Sequence, residues 1–313
     1  MCRFWYFIAT TTIACTLCAS VSANSKSAAS LGTNTPAAPM TVSYNKVKTL
    51  SSLGDVYVYR DELIHQIFEV TRPEYGDYQI QFYETELTSM RQAQFLGEGK
   101  VLNLAWGSPG TTIAKANAIP IAIDILKGLL GYRICLINKN APLNIDNVSD
   151  AESLHHIRIG QGLWIDIDFY KFNHLDPVAV PSFDNLFSML SAKRIDCIAL
   201  GINEVEAIYL KQKHLFPAVV MDDKLLIYYY FPTYLYVSKN SPALAKRIEL
   251  GLTKMKNSGA FDDLFMRHHG KNLAKLELKN RKVVCLDSPY LPNKHACTAP
   301  LTLGNKMPAP NAH

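Results

Sequence analysis

The sequence contains no Lys/Arg run, no H-x-x-x-H spacing, no G-x-S-x-G motif and, beyond residue 19, no apolar stretch of membrane-spanning length. Each absence removes a class of function. Without a basic run there is no groove for a nucleic-acid backbone, and no nucleic-acid partner is expected. The formal charge of +5 is mild for 313 residues, of which 19% are charged. The histidines that stand close together, His155-His156 and His268-His269, are adjacent. Adjacent side chains diverge on helices and strands alike, so neither pair is a chelate. Gly107-Ser108-Pro109-Gly110 lacks the first glycine of a hydrolase elbow. Ser43-x-x-Lys46 has the S-x-x-K spacing without companion motifs. The carboxylate pairs Asp166/Asp168, Asp222/Asp223 and Asp262/Asp263 read as solvated surface. No catalytic residue, metal or cofactor is expected.

What the chain does have at its start is a three-part export signal. Arg3 precedes a largely apolar stretch, Phe4 to Ala19, and Val21-Ser22-Ala23 supplies small residues for cleavage. Residues 1–23 are expected to be removed, giving a periplasmic protein. Arg3 is the one charge among them, so cleavage lowers the formal +5 by one. An uncleaved anchor and lipidation at Cys15 are the other readings of this segment. Residues 24–45, rich in Ser, Ala, Asn, Thr and Pro, read as a flexible leader, because such residues bury little apolar surface against the entropy of ordering. Four of the seven cysteines follow the signal. In an oxidising compartment Cys285 and Cys297 are expected to pair and staple a C-terminal tail, 271–313. A metal site with His295 is the competing reading. Cys135 and Cys197 lie in apolar runs and read as small buried hydrophobes.

Between the ends, strand-like runs alternate with helical spacing. The strand-like runs are 56–59, 78–83, 101–105, 132–137, 157–160, 178–180, 195–200, 225–230 and 234–238. Several are continuously apolar, as strands covered on both faces are. Leu63, Ile64, Ile67 and Phe68 share a helical face; Leu87, Met90 and Ala93 share another that ends at Gly97. Ser182 precedes Phe183, Leu186, Phe187 and Leu190 at helical spacing. Asn203 and Glu206 form a capping-box pattern, and Ser241-Pro242 opens a helix that Gly259 breaks. A further short helix is predicted over 261–268. Alternation of this kind predicts α/β architecture with mainly parallel sheets.

The order of these pieces resembles the type II periplasmic solute-binding proteins, including the amino-acid binders of ABC importers. VYVYR, YQIQFY, VLNLAWGSPGTTIAKANAIPIAI and GYRICLI resemble the first lobe of that family. IRIGQGLW and LFSMLSAKRIDCIALGINEVEAI resemble the second lobe. YLYVSKNSPALAKRIELGLTKMKNSGAFDDLF resembles the return to the first. The likeness covers about residues 46–270 and implies two α/β lobes with two mixed, mainly parallel sheets, joined by a two-crossing hinge near 138 and 232. Lobe one is then 46–138 plus 232–270, and lobe two 139–231. Two departures from the family stand out. Lys115 occupies the place of the carboxylate-clamping Arg, as a point charge rather than a planar fork. Gly201-Ile202-Asn203-Glu204 replaces the usual acid after the second-lobe strand, with Glu204 as its substitute.

The resemblance implies capture of a small solute, amino-acid-like or anionic, at the loops between the lobes. The residues it places there are Tyr59 and Arg60 at the end of the first strand, Trp106 and Ser108 after the third, and Lys115. From lobe two come Gln161 and Trp164, beside a helix start whose N–H groups suit an anion, and Glu204. Arg60 and Arg133 are also natural structural ion-pair partners. The implied partner is a membrane permease or sensor protein, with the binding protein a monomer. A non-catalytic interaction or scaffold protein, its cleft filled by its own side chains, is the alternative.

Overall fold

The computed structural model describes residues 38–46 and 54–290. The expected signal peptide and Cys297 lie outside the described residues. The chain opens with β1 (Met40–Asn45), α1 (Gly54–Val70), the single turn α2 (Arg72–Tyr75), β2 (Tyr78–Tyr83), α3 (Ser89–Glu98), β3 (Leu104–Gly107) and β4 (Ala118–Ile121). It crosses to β5 (Tyr132–Asn138), β6 (Ile159–Gly162), α4 (Asp166–Phe172), β7 (Val178–Val180), α5 (Phe183–Ser191), β8 (Cys197–Gly201), α6 (Val205–Gln212), β9 (Val219–Met221) and β10 (Leu225–Tyr229). It returns through β11 (Tyr234–Ser238), α7 (Pro242–Ser258) and α8 (Ala260–Lys275), and reaches β12 (Lys282–Leu286).

Two strands set the path between the lobes. In lobe one, β11 lies antiparallel between β3 and β4, and β1 is parallel to β2. Asn103 joins the two pieces: its amide accepts from Ser43 N (2.7 Å) and donates to Thr41 O (3.0 Å), while its backbone O accepts from Ser238 N (3.0 Å). Lobe two is a seven-stranded mixed sheet in the order β12-β10-β5-β8-β6-β7, with β9 on β5. Every antiparallel pair involves β5 or β11, and the others are parallel. Those are the first strands after each crossing: β11 runs antiparallel to both its neighbours in the three-stranded sheet, and β5 to β8, β9 and β10 in the seven-stranded one.

β5, β6 and β8 are buried along their whole length, which suits the continuous apolar run of β8 and the apolar stretch 134–137 of β5. The core is continuous across the lobes through Leu126, Leu129, Tyr132 and Tyr228. From Ala38 the described chain forms one compact unit. In lobe one, Arg247 of α7 is wholly buried and donates to Phe68 O (3.2 Å), Gly76 O (2.8 Å) and Thr71 Oγ1 (3.0 Å), fixing α7 against the end of α1.

Several expectations are corrected. Residues 56–59 are helical, part of α1, because Tyr59, Leu63, Ile64, Ile67 and Phe68 all reach the core at helical spacing. Tertiary burial overrides the strand preference of Val and Tyr. Residues 40–45, assigned to the leader, form β1, whose Val42 and Tyr44 alternate inward. The helix expected to stop at Gly97 ends at Gly99, whose φ of 67° gives the left-handed cap. β5 belongs to lobe two, so the first crossing is 122–131, not near 138; the second is 230–233. Residues 276–281 add a third passage to β12, which extends the lobe-two sheet beside β10. Cys135 and Cys197, read as hydrophobes, form a disulfide between neighbouring strands β5 and β8. Cys285 is also disulfide-bonded.

Candidate functional site

The crossings are stitched by one carboxylate. Asp124 accepts from the backbone N–H groups of Leu126 (3.0 Å) and Gly128 (2.6 Å) in the first crossing, and from Thr233 (3.0 Å) in the second. Burial raises its pKa, and the three backbone donors oppose that shift. Ile125 N donates to Thr233 O (2.9 Å), closing the junction.

Above this junction, β3 delivers the lobe-one loop 108–117. Trp106 lies under the Arg60 guanidinium, 4.4 Å from its ring centroid, and edge-on to Tyr44. Ser108 is buried, its Oγ 3.5 Å from Thr233 Oγ1. Gly110 has φ of 85°, a backbone state that suits glycine. Lys115 is exposed in the same loop, its backbone N–H donating to Thr111 O and Thr112 O. Tyr59 departs from its expected place. It is inside α1, wholly buried against Phe265 and His269, and its hydroxyl donates to Ile125 O (2.6 Å). It supports the first crossing rather than ending a strand, and Arg60 next to it reaches Trp106 from the helix.

Lobe two contributes the ends of β6 and β8. Gln161 is 1% exposed; its Nε2 donates to Ala199 O (3.0 Å), and its Oε1 has no hydrogen-bond partner among the described residues. Trp164 is 41% exposed and packs on Phe183, with Leu163 also open to solvent. Glu204 accepts from Gly201 N (3.1 Å) and stands 3.8 Å from Arg133 Nη1. Burial raises its pKa against the pull of Arg133. The Asn203 capping box does not form: Glu204 is the residue that precedes α6.

Beneath these residues lies a cluster that composition alone hid. Arg133, in the apolar run of β5, is ion-paired to Asp166, and its Nε donates to Tyr229 Oη (2.5 Å), which in turn donates to Asp166. Burial works against the Arg133 charge, but Asp166, Tyr229 and Glu204 outweigh it and raise its pKa. Asp166 is therefore buried structure, not solvated surface. The first turn of α4 holds Asp166 and Asp168, so a bound anion there meets two carboxylates.

Loop 108–117 and helix α4 meet through a residue the sequence did not single out. The Tyr290 ring lies on Gly110, where a Cβ would sit 2.4 Å from it, and on Phe169 of α4. Its hydroxyl donates to Asp168 Oδ2 (2.8 Å). A separate cavity of about 200 Å³ lies between α6 and α8, lined by Asn203, Glu206, His268 and Asn272, and includes none of the expected site residues. Among the described residues no group of three or more metal-ligating side chains forms, and no helix is long and apolar enough to cross a membrane.

No family model and no curated protein matches the sequence. Solved structures do match. The probable amino-acid ABC transporter extracellular-binding protein of Bacillus subtilis superposes with a TM-score of 0.51 at 14% identity, covering 74% of this chain and 97% of that one. An ancestral arginine-binding protein bound to arginine gives 0.45 at 18%, over 72% and 97%. A TRAP periplasmic solute binding protein from Desulfovibrio salexigens, complexed with diglycerolphosphate, gives 0.46 at 14%, over 80% and 87%. The fold is that of the type II periplasmic binding proteins, in divergent form.

Proposed function

We propose that this chain is an extracytoplasmic solute-binding protein that captures a small molecule between its lobes and presents the closed form to an importer permease or a membrane sensor. The observation that carries the reading is the type II periplasmic binding fold, its two short crossings tied together at Asp124 and Thr233, with the residues after β3, β6 and β8 as the proposed lining. In open α/β sheets such strand ends are where ligands sit. A solute touching both lobes stabilises the closed state over the open one. The reading is non-catalytic. One chain supplies both lobes, so a monomer suffices. The Cys135–Cys197 disulfide supports an oxidising, periplasmic setting, consistent with the export signal read at 1–23.

The residues also suggest what kind of solute fits. Gln161, Glu204 and Asp168 offer acceptors from lobe two, which suits the ammonium or amide end of a small polar molecule. Trp106 and Trp164 offer aromatic faces for its body, with Arg60, Ser108 and Lys115 on the lobe-one side. Tyr59 acts behind the site, through Ile125.

A thermal-shift screen of the mature protein against amino acids, small peptides, polyamines, carboxylates and sugars tests this. A solute at 100 times its Kd adds about 2.7 kcal/mol of stability, a clear rise in Tm. Hits confined to one chemical class support the reading. A cooperative melt with no hit in the library counts against it. That second result favours the alternative, a non-catalytic interaction protein, for which Tyr290 between the lobes is the specific observation.

A further inference from the structure

We propose that the C-terminal strap is an internal competitor for the cleft: Tyr290 stands between the lobes where a solute would, and a solute binds only after Tyr290 leaves. The inference rests on the solute-binding reading above for the identity of the cleft, but the contacts of the strap stand on their own.

The strap is fastened in one part and loose in another. Arg281 begins it, donating to Asp222 O (2.6 Å), Leu225 O (3.3 Å) and Leu276 O (2.9 Å). β12 then pairs with β10 over its full length, from Leu225 opposite Lys282 to Tyr229 opposite Leu286. Asn173, just after α4, closes a reciprocal pair with Asp287: its Nδ2 donates to Asp287 O and its Oδ1 accepts from Asp287 N, both 2.8 Å. Ser288 is wholly buried. Up to this point the backbone itself is held.

Tyr290 is held differently. Among the described residues its contacts across the cleft are side-chain contacts alone: the hydroxyl on Asp168, and the ring on Phe169 and on the bare backbone of Gly110. Asp168 is exposed and Tyr290 only half-buried, so among the described residues one hydrogen bond in contact with water and a partly covered ring oppose its release across the cleft. β12 need not move. Yet these few contacts join the lobe-one loop 108–117 to the lobe-two helix α4, the simultaneous contact with both lobes that a captured solute makes. The absence of a side chain at Gly110 makes room for the ring. Closure is thus stabilised by the chain itself, and a solute competes with Tyr290 for the same two surfaces.

The test is hydrogen exchange on the full mature chain, without added solute, comparing wild type with Tyr290→Ala and Tyr290→Phe. In Tyr290→Ala, amides of 108–117 and the first turn of α4 should exchange about tenfold faster while β12 and β10 keep their protection. Tyr290→Phe keeps the ring and loses the bond to Asp168, so it should fall between. Unchanged exchange in Tyr290→Ala overturns the proposal, as does an equal rise across β12 and β10, which signals general loosening. The solute screen separates the two readings. If the strap holds nine molecules in ten, the affinity of a hit for Tyr290→Ala tightens about tenfold. Selective exchange with no hit in either protein leaves the strap standing and removes the solute-binding reading. Equal affinity in both proteins, with unchanged exchange, does the reverse.

Discussion

Asp124 Oδ1 accepts the backbone N–H of Thr233 at 3.0 Å, tying the second crossing of the chain to the first. The same carboxylate serves Leu126 and Gly128. Asp124→Ala leaves three backbone donors without their acceptor at a buried turn. With each unsatisfied donor costing about 1 kcal/mol or more, the variant should lose about 3 kcal/mol in urea unfolding. A loss below about 0.5 kcal/mol would mean that the junction does not depend on this residue.

The Arg133–Asp166 pair should behave as a buried ion pair whose two halves depend on each other. Asp166→Ala leaves the buried guanidinium without its close partner and facing Glu204 at 3.8 Å, at a cost of about 3 kcal/mol. Arg133→Met combined with Asp166→Ala removes both charges and should recover most of that loss. Additive losses in the double variant would show that the two side chains act separately.

Glu204 gives a pH dependence with a defined sign. Burial raises its folded pKa, against the lowering influence of Arg133, so the folded state holds the proton more tightly than the unfolded one. Its contribution is therefore full below the ordinary carboxylate range and is lost as pH rises through the raised value. Glu204→Gln keeps an acceptor for Gly201 N–H and does not titrate. Relative to this variant, the wild type should lose stability as pH rises from the ordinary carboxylate range through the raised value, read as diverging urea midpoints. A constant gap over that range contradicts the assignment.

The Cys135–Cys197 disulfide closes a loop with a sequence separation of 62 residues. On the loop-entropy account such a link is worth about 4 kcal/mol. Replacing both cysteines with Ala should lower stability by roughly that amount, and little of it should appear as lost binding. Both residues are buried, so mild reductant acting on the folded protein should leave the bond intact. Rapid reduction under native conditions, followed by thiol labelling, would be the contrary result.

How far the sequence reveals this structure depends on whether the signal is local. β5, β8 and α5 are legible because burial on both faces, or on one helical face, writes itself into consecutive residues. β12 is not, because its pairing with β10 joins positions more than fifty residues apart and leaves no local trace. VYVY misleads because Val and Tyr favour strands while Tyr59 and Leu63, four residues apart, serve one helical face. The disulfide depends on which strand lies beside β5, a property of register rather than of composition. Arg133 was the available clue to the buried cluster: a cation inside YRICLI requires an anion, and Asp166 supplies it. Trp106, Ser108, Gln161, Trp164 and Glu204 lie at or just after the ends of strands β3, β6 and β8. Tyr59 moved into the core when its strand became a helix, and Tyr290 came from a tail whose path only the fold reveals.

Isothermal titration of the mature protein with the strongest solute from the screen tests the central claim most directly, using one variant from each lobe, Trp106→Ala and Glu204→Gln. Capture between the lobes predicts one solute per chain and an affinity loss of about tenfold or more in each variant, with folding cooperativity retained. An affinity unchanged in both variants, or more than one solute per chain, would contradict it.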